Sequence, residues 1–290
     1  AQGSGIASDL PNRLSHALGL TGPSVAVTTS CSSSLTAVHL ASQALRRREC
    51  DLAVVAGVNL VSHPYHLALL GDLGLLGHGS GAAFDAGDSG WHPGEGVGAL
   101  LLQPLRAAVA VGPVQGVVEA TWIGHSGRTP RFPAPSAAAL AGSLRAALRD
   151  AGLAPDDVGY VECAASGAGL ADAAELQALQ EVFRPRREPL PVGTVKPNVG
   201  HLESASGMSQ LVKVLLQLRH GLVAPTVAAV HRNPLVDWDP AVLRVPSGAE
   251  PWTARPGFPR RALVNGLGAT GSYAHVLLRE AGPDDQAPGR

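Results

Sequence analysis

Apolar positions along the chain switch between two periods. Ser24–Thr29 (SVAVTT) is a short β-branched run with the make-up of a buried strand. It breaks into Ser30-Cys31-Ser32-Ser33-Ser34, and from Leu35 to Arg48 the spacing turns helical, with Leu35, Val38, Ala41 and Leu45 on one face. Asp51–Val58 and Gly96–Leu102 read as strands on either side of a Gly-rich stretch from Gly71 to Gly94. Val114–Trp122 opens a second half: a helix over Ser136–Gly152, a strand over Val158–Cys163, a helix over Ala171–Phe183 and a strand over Pro191–Val195. A helix over Ser204–Arg219 stops at His220-Gly221, and Ala262–Gly271 with Tyr273–Arg279 forms a strand pair joined through glycines.

Strands alternating with helices imply parallel or mixed sheets covered on both faces. The two halves echo each other, each running strand, Ser/Gly-rich turn, helix, then two strands. No short-period repeat is present. The tail Gly282–Arg290 reads as an exposed linker.

Composition narrows the function classes. With 290 residues, 45% hydrophobic and 16% charged, and a net charge of −1, the chain has the balance of a globular domain. Nothing in that charge calls for nucleic acid or an anionic membrane as partner. No apolar run is long enough to cross a bilayer and no signal-peptide pattern opens the chain, so a soluble, cytoplasmic protein is expected. The start at Ala1 without Met reads as a cut from something longer. Three irregularly spaced cysteines fit neither a disulfide framework nor a zinc site. Lys196 and Lys213 are the only lysines.

Cys31 lies where a predicted strand hands over to a helix. Free backbone N–H groups and the helix dipole at such a junction favour an anion, which lowers a thiol's pKa and offers donors to the oxyanion of a thioester under attack. A buried, inert cysteine with serines merely capping the helix is the alternative, and local context leaves both open.

Several ordered motifs carry a family resemblance. Thr28–Leu35 (TTSCSSSL) resembles the nucleophile motif of β-ketoacyl synthases, the condensing enzymes of fatty acid and polyketide synthesis. Ala83-Phe84-Asp85-Ala86 and Gly94-Glu95-Gly96 are similar to that family's Phe-Asp-Ala and Gly-Glu-Gly signatures. Val195–His201 (VKPNVGH) resembles its Lys-Ser-Asn-Ile-Gly-His block, and Gly266–Val276 (GLGATGSYAHV) an altered form of its C-terminal glycine motif. The match is closest to modular polyketide synthases. It implies a thiolase-like α/β fold, five layers αβαβα in two similar halves, with residues 1–110 as the first half, 111–281 as the second and 282–290 as a tail. The first matching block, Ala7–Gly22, normally lies well inside such enzymes, so the first half is expected to be truncated, with an incomplete sheet and an exposed edge.

The resemblance assigns Cys31 as the nucleophile that takes an acyl group from the phosphopantetheine of an acyl carrier protein. His201 falls on the second family histidine and Lys196 on the active-site lysine. Backbone N–H groups of Cys31 and Ala269 would form the oxyanion hole, while Leu267, Ala269 and Tyr273 stand at altered pocket and gate positions. The departure that counts most is Val161–Ala168 (VECAASGA), where Glu162, Leu170, Asp172 and Glu175 hold the register and Ala164 takes the place of the first catalytic histidine. A methyl group neither donates a hydrogen bond nor accepts a proton. The expectation is therefore a ketosynthase-type acyltransferase, weak or inactive in decarboxylative condensation, with no bound cofactor and no metal, pairing as a homodimer or heterodimer. A fully condensing synthase, a cyclase on the same fold and a silent partner of the chain-length-factor type remain alternatives; retention of Cys31 speaks against the last. His63, His66, His78 and His92 lack the spacing of a metal site, and His275, Cys163, Cys50, Asp85 and Glu95 read as structural.

Overall fold

The computed structural model describes residues 6–79, 81–85, 90–130, 132, 134–227, 231–255, 257–282 and 285. Helix α1 (Asp9–Leu18) precedes α2 (Ser33–Arg46), β1 (Ala53–Asn59), α3 (Pro64–Asp72), β2 (Gly96–Leu102) and α4 (Leu105–Val111). The second part runs β3 (Val117–His125), α5 (Ala137–Ala151), β4 (Tyr160–Glu162), α6 (Gly169–Phe183), β5 (Leu190–Gly193), α7 (Lys196–Val199) and α8 (Ser206–His220). Short strands β6 (Leu222–Val223), β7 (Leu243–Arg244) and β8 (Glu250–Pro251) follow, and β9 (Arg261–Leu267) and β10 (Ser272–Arg279) close the chain. Punctuation sets the helix ends: Ser136 caps α5 by accepting from the Ala139 N–H, and Gly152 and Gly221 end α5 and α8 in the left-handed conformation.

Six strands form one sheet in the order β3-β10-β9-β4-β5-β7, antiparallel across β3, β10 and β9 and parallel from β9 onward. Its strands are apolar on both faces, and the two sets of side chains enter different cores. Ala262 and Val264 of β9, with Ala274, Val276 and Leu278 of β10, pack with Leu35 and Val38 of α2 and Leu211 and Val214 of α8. Leu263, Tyr273 and Leu277 face the other way, onto Leu140, Leu144 and Leu148 of α5 and Leu176 and Leu179 of α6.

Beyond α2 and α8 lies the antiparallel pair β1–β2, whose inward Val55, Leu100 and Leu102 close the second core. Four layers thus stack as helix, sheet, helix, sheet, in the order expected of the first four of five. On the outer face of β1–β2, Val54, Val58, Val97 and Leu101 are exposed. Both sheets let the central helices approach through a glycine. A Cβ on Gly57 of β1 would lie 2.6 Å from Ser34 Oγ, and one on Gly266 of β9 would lie 2.9 Å from Leu35 Cδ1.

Two sequence expectations need correction. Ser24–Thr29 does not form a strand with a ladder partner among the described residues, and Val25 is 62% exposed. A β-branched run becomes a strand only when a neighbour takes its backbone groups. The tail reading also fails at Asp285, which is buried and paired with Arg279; residues 283–284 and 286–290 lie outside the described residues, as does Ala86 of the Phe-Asp-Ala motif.

Candidate active site around Cys31

The turn that presents Cys31 is stapled by its serines. Ser32 Oγ donates to the Thr29 carbonyl at 2.7 Å, Ser33 Oγ donates to the Ser30 carbonyl at 2.6 Å, and the Thr29 N–H donates to Ser33 Oγ at 2.9 Å. Ser272 Oγ reaches over from β10 to the same Thr29 carbonyl at 2.9 Å. The staples hold Ser30 at φ 54°, a left-handed conformation that costs a non-glycine residue about 1 kcal/mol or more. Cys31 then follows as a buried residue, 8% exposed, just before the first turn of α2.

Burial moves this thiol opposite to the sequence expectation. Desolvation raises its pKa, and the Lys196 charge and the backbone N–H groups of Ala269 and Cys31 lower it only in part. The Ser32 and Ser33 amides already donate to Thr29 and Ser30 carbonyls, so fewer free N–H groups face the sulfur than an open helix start would offer. The two amides that do reach it belong to the predicted oxyanion hole.

His201 and Lys196 arrive from the segment after β5. His201 is 2% exposed, and its Nδ1 accepts from the Glu203 N–H at 2.8 Å, so in the neutral ring Nε2 carries the proton and serves as donor. Burial and the nearby Lys196 charge hold its pKa well below the usual histidine range. Lys196 is buried as well and donates from Nζ to the Ala164 carbonyl. Desolvation lowers its pKa, against the pull of Glu175, Glu162, Cys31 and Asp172. Trp91 joins the groups: it packs against Cys31 and Leu70, and its ring lies 4.5 Å from that of His201 at a 31° tilt.

The loop that carries Ala164 is held by two buried carboxylates. Glu175 accepts from the Ala164 and Ala165 N–H groups, both at 2.9 Å, and Asp172 from those of Ser166 at 2.7 Å and Gly167 at 3.2 Å. Asn265 Nδ2 donates to Glu175 at 2.9 Å, and its Oδ1 meets His275 Nδ1 at 2.9 Å, with Ser143 on the far ring nitrogen at 2.8 Å. Burial and the neighbouring Glu175 push Asp172 up to about 7, and burial raises Glu175 too. In the sequence these two acids served only as register marks; their burial, invisible there, gives them their task. Glu162 does the same for the Lys196 segment, accepting from the Val195 N–H at 2.7 Å while paired with Lys213 at 2.8 Å.

The expected gate residues separate. Ala269 packs beside Cys31. Leu267 and Tyr273 are cross-strand partners on the α5–α6 face, where strand alternation sends odd-numbered side chains away from α2. Tyr273 lies outside the small cavity, which is walled by Trp91, Ala165, Gly167, Lys196 and His201. Among the histidines read against a metal site, His63 caps α3 and His66 pairs with Glu203 at 2.7 Å. No cluster of three or more metal-ligating side chains exists among the described residues, and no helix there is long and apolar enough to cross a membrane.

Comparison with known proteins adds a family context. Residues 1–108 match the family model "Beta-ketoacyl synthase, N-terminal domain" and residues 115–229 the model "Beta-ketoacyl synthase, C-terminal domain". Polyketide synthase ThaG of Burkholderia thailandensis is 43% identical over 99% of this chain, which spans 5% of its length. Polyketide synthase PksR of Bacillus subtilis is 37% identical over 93% of the chain and 11% of its own length. Among solved structures, the oxazolomycin ketosynthase domain OzmH KS7 of Streptomyces albus JA3453 superposes with a TM-score of 0.93 at 40% identity, over 99% of this chain and 52% of that one. The ketosynthase from module 6 of the Bacillus subtilis bacillaene synthase gives 0.91 at 34% identity, over 96% and 50%.

Proposed function

Because this chain belongs to the β-ketoacyl synthase family, with the thiolase-like fold of polyketide synthase ketosynthases, we propose that it works as an acyltransferase that loads Cys31 in polyketide assembly and condenses poorly. An acyl carrier protein delivers the chain on its phosphopantetheine thiol. Cys31 Sγ bonds to the thioester carbon, the bond from that carbon to the carrier's sulfur breaks, and the cysteine's proton leaves on the carrier thiol. The Cys31 and Ala269 amides take the charge that builds on the carbonyl oxygen. Lys196, itself buried, holds the neighbouring loop through the Ala164 carbonyl and favours the thiolate.

One observation carries the second half of the reading: a methyl group occupies position 164 on a loop whose backbone is fully held by Glu175 and Asp172. His201 keeps its Nε2 donor for an extender thioester, but its counterpart is gone. A missing donor or acid/base group costs roughly two to four powers of ten in the decarboxylative step, and exchange of the acyl group onto sulfur does not need it.

Incubation with an acyl carrier protein and a malonyl carrier protein, followed by intact mass spectrometry, tests this. The acyl adduct on Cys31 should accumulate while chain-extended β-ketoacyl product stays at background. Efficient extension would refute the non-condensing assignment.

A further inference from the structure

Passing an acyl group between two thiols requires a proton to move from the attacking sulfur to the leaving one. Burial raises the Cys31 thiol, so its proton is held at neutral pH and a base is needed to move it. The groups already described are poorly placed for that work. His201 Nδ1 accepts from the Glu203 N–H at 2.8 Å, which leaves its other nitrogen as a donor. The Lys196 ammonium is committed to the Ala164 carbonyl. Glu162, Glu175 and Asp172 are taken up by backbone N–H groups, and Glu203 by His66 at 2.7 Å. None of these four carboxylates walls the cavity beside Trp91.

A second imidazole does. His92 shares that wall with Ser166, Gly167, Lys196 and His201. Its ring lies over Gly81, another wall residue, where an added Cβ would come 3.2 Å from His92 Cδ2 and 3.5 Å from Nε2. The backbone ties the two histidines together. The His201 N–H donates to the His92 carbonyl at 2.7 Å, and the Gly94 N–H to the His201 carbonyl at 3.0 Å. The cavity, about 20 Å³, has room for one group of about the size of a water or a thiol sulfur. Trp91 belongs to the same wall and packs on Cys31, and the Lys196 charge is felt at the Cys31 sulfur. A sulfur seated there would lie alongside the thioester that Cys31 carries.

Resting on the acyl-transfer reading of the site, we propose that His92 is a catalytic residue whose imidazole moves the proton of the carrier's phosphopantetheine thiol as the acyl group passes to and from Cys31. In loading, Cys31 Sγ bonds to the acyl carbon, the carrier's carbon–sulfur bond breaks, and the imidazolium protonates the leaving sulfur. The proton shed by Cys31 replaces the one given up, so none is consumed. Discharge runs the same steps backward: the imidazole takes the incoming thiol's proton, and that sulfur attacks the acyl carbon and expels Cys31.

The test follows loading of Cys31 from a butyryl carrier protein by intact mass spectrometry. His92→Gln, close in shape, should slow loading about a hundredfold and leave the half-saturating carrier concentration unchanged. His92→Gly should be equally slow and should regain about tenfold when free imidazole is added, because the small base then does what the side chain did. Where the glycine variant fails to fold, the glutamine variant decides the question. A glutamine variant as fast as wild type, a loss confined to the half-saturating concentration, or a folded glycine variant that imidazole leaves unchanged would each overturn the proposal. A wild type that forms no Cys31 adduct from an acyl carrier would instead bring down the acyl-transfer reading, and this inference with it.

Discussion

Two turns meet at this site, and they are held in opposite ways. The Cys31 turn is fixed by neutral hydroxyls and by one residue at positive φ. The Ala164 loop is fixed by two buried carboxylates that take four backbone N–H groups between them. The first presents a sulfur; the second presents a methyl group on a firmly held framework, where we propose that the acting side chain has been lost. Framework and chemistry are therefore separable in this fold. Removing Glu175 or Asp172 would strand several donors at once, whereas the Ala164 side chain makes no hydrogen bond on which the loop depends.

The strongest way to break the contrast is to place an imidazole at position 164. In Ala164→His, condensation of an acyl and a malonyl carrier should rise by roughly two to four powers of ten over wild type, measured as β-ketoacyl product, with acylation of Cys31 little changed. No gain would mean that the loop's geometry has drifted along with its side chain.

Removing the framework should hurt stability more than it changes chemistry. Glu175→Ala leaves the Ala164 and Ala165 N–H groups and the Asn265 amide without their acceptor, and a loss of about 3 kcal/mol or more is expected from three stranded donors. Denaturant unfolding measures it; a loss below about 1 kcal/mol would show that water replaces the carboxylate with ease.

A smaller effect sharpens the comparison through pH. Asp172 is raised from 3.8 to about 7 in the folded chain, so between these values the native state holds a proton that the unfolded state has released. Its contribution is present in full below pH 3.8 and is lost as pH rises through about 7. Relative to Asp172→Asn, wild type should therefore lose stability across that window, read as a difference in urea midpoint at several pH values. The hydroxyls that staple the Cys31 turn do not titrate across that window, and a change there such as Ser33→Ala should leave the slope with pH untouched.

Much of the site was legible in the residues. The Ser-rich run at Cys31, the Lys196–His201 segment and the substitution at Ala164 are read directly from motif and register, and strands β2, β9 and β10 follow the apolar pattern closely. Other features lay outside it. Leu267 and Tyr273 were placed at a pocket by alignment, but a two-residue period along β9 and β10 turns both into the α5–α6 core. Trp91 carried no signal, since its place against Cys31 and His201 exists only once distant segments have packed.

By itself the sequence determined the family, most of the strands and helices of the second half, and the methyl group at position 164 where the family motif has a histidine, because those depend on residue identity and local periodicity. Tertiary structure alone decided the thiol's direction of titration, the partners of Glu175 and Asp172, and the failure of Ser24–Thr29 to pair as a strand. Each of these is set by desolvation or by hydrogen bonds between residues distant along the chain, and neither leaves a trace in local spacing.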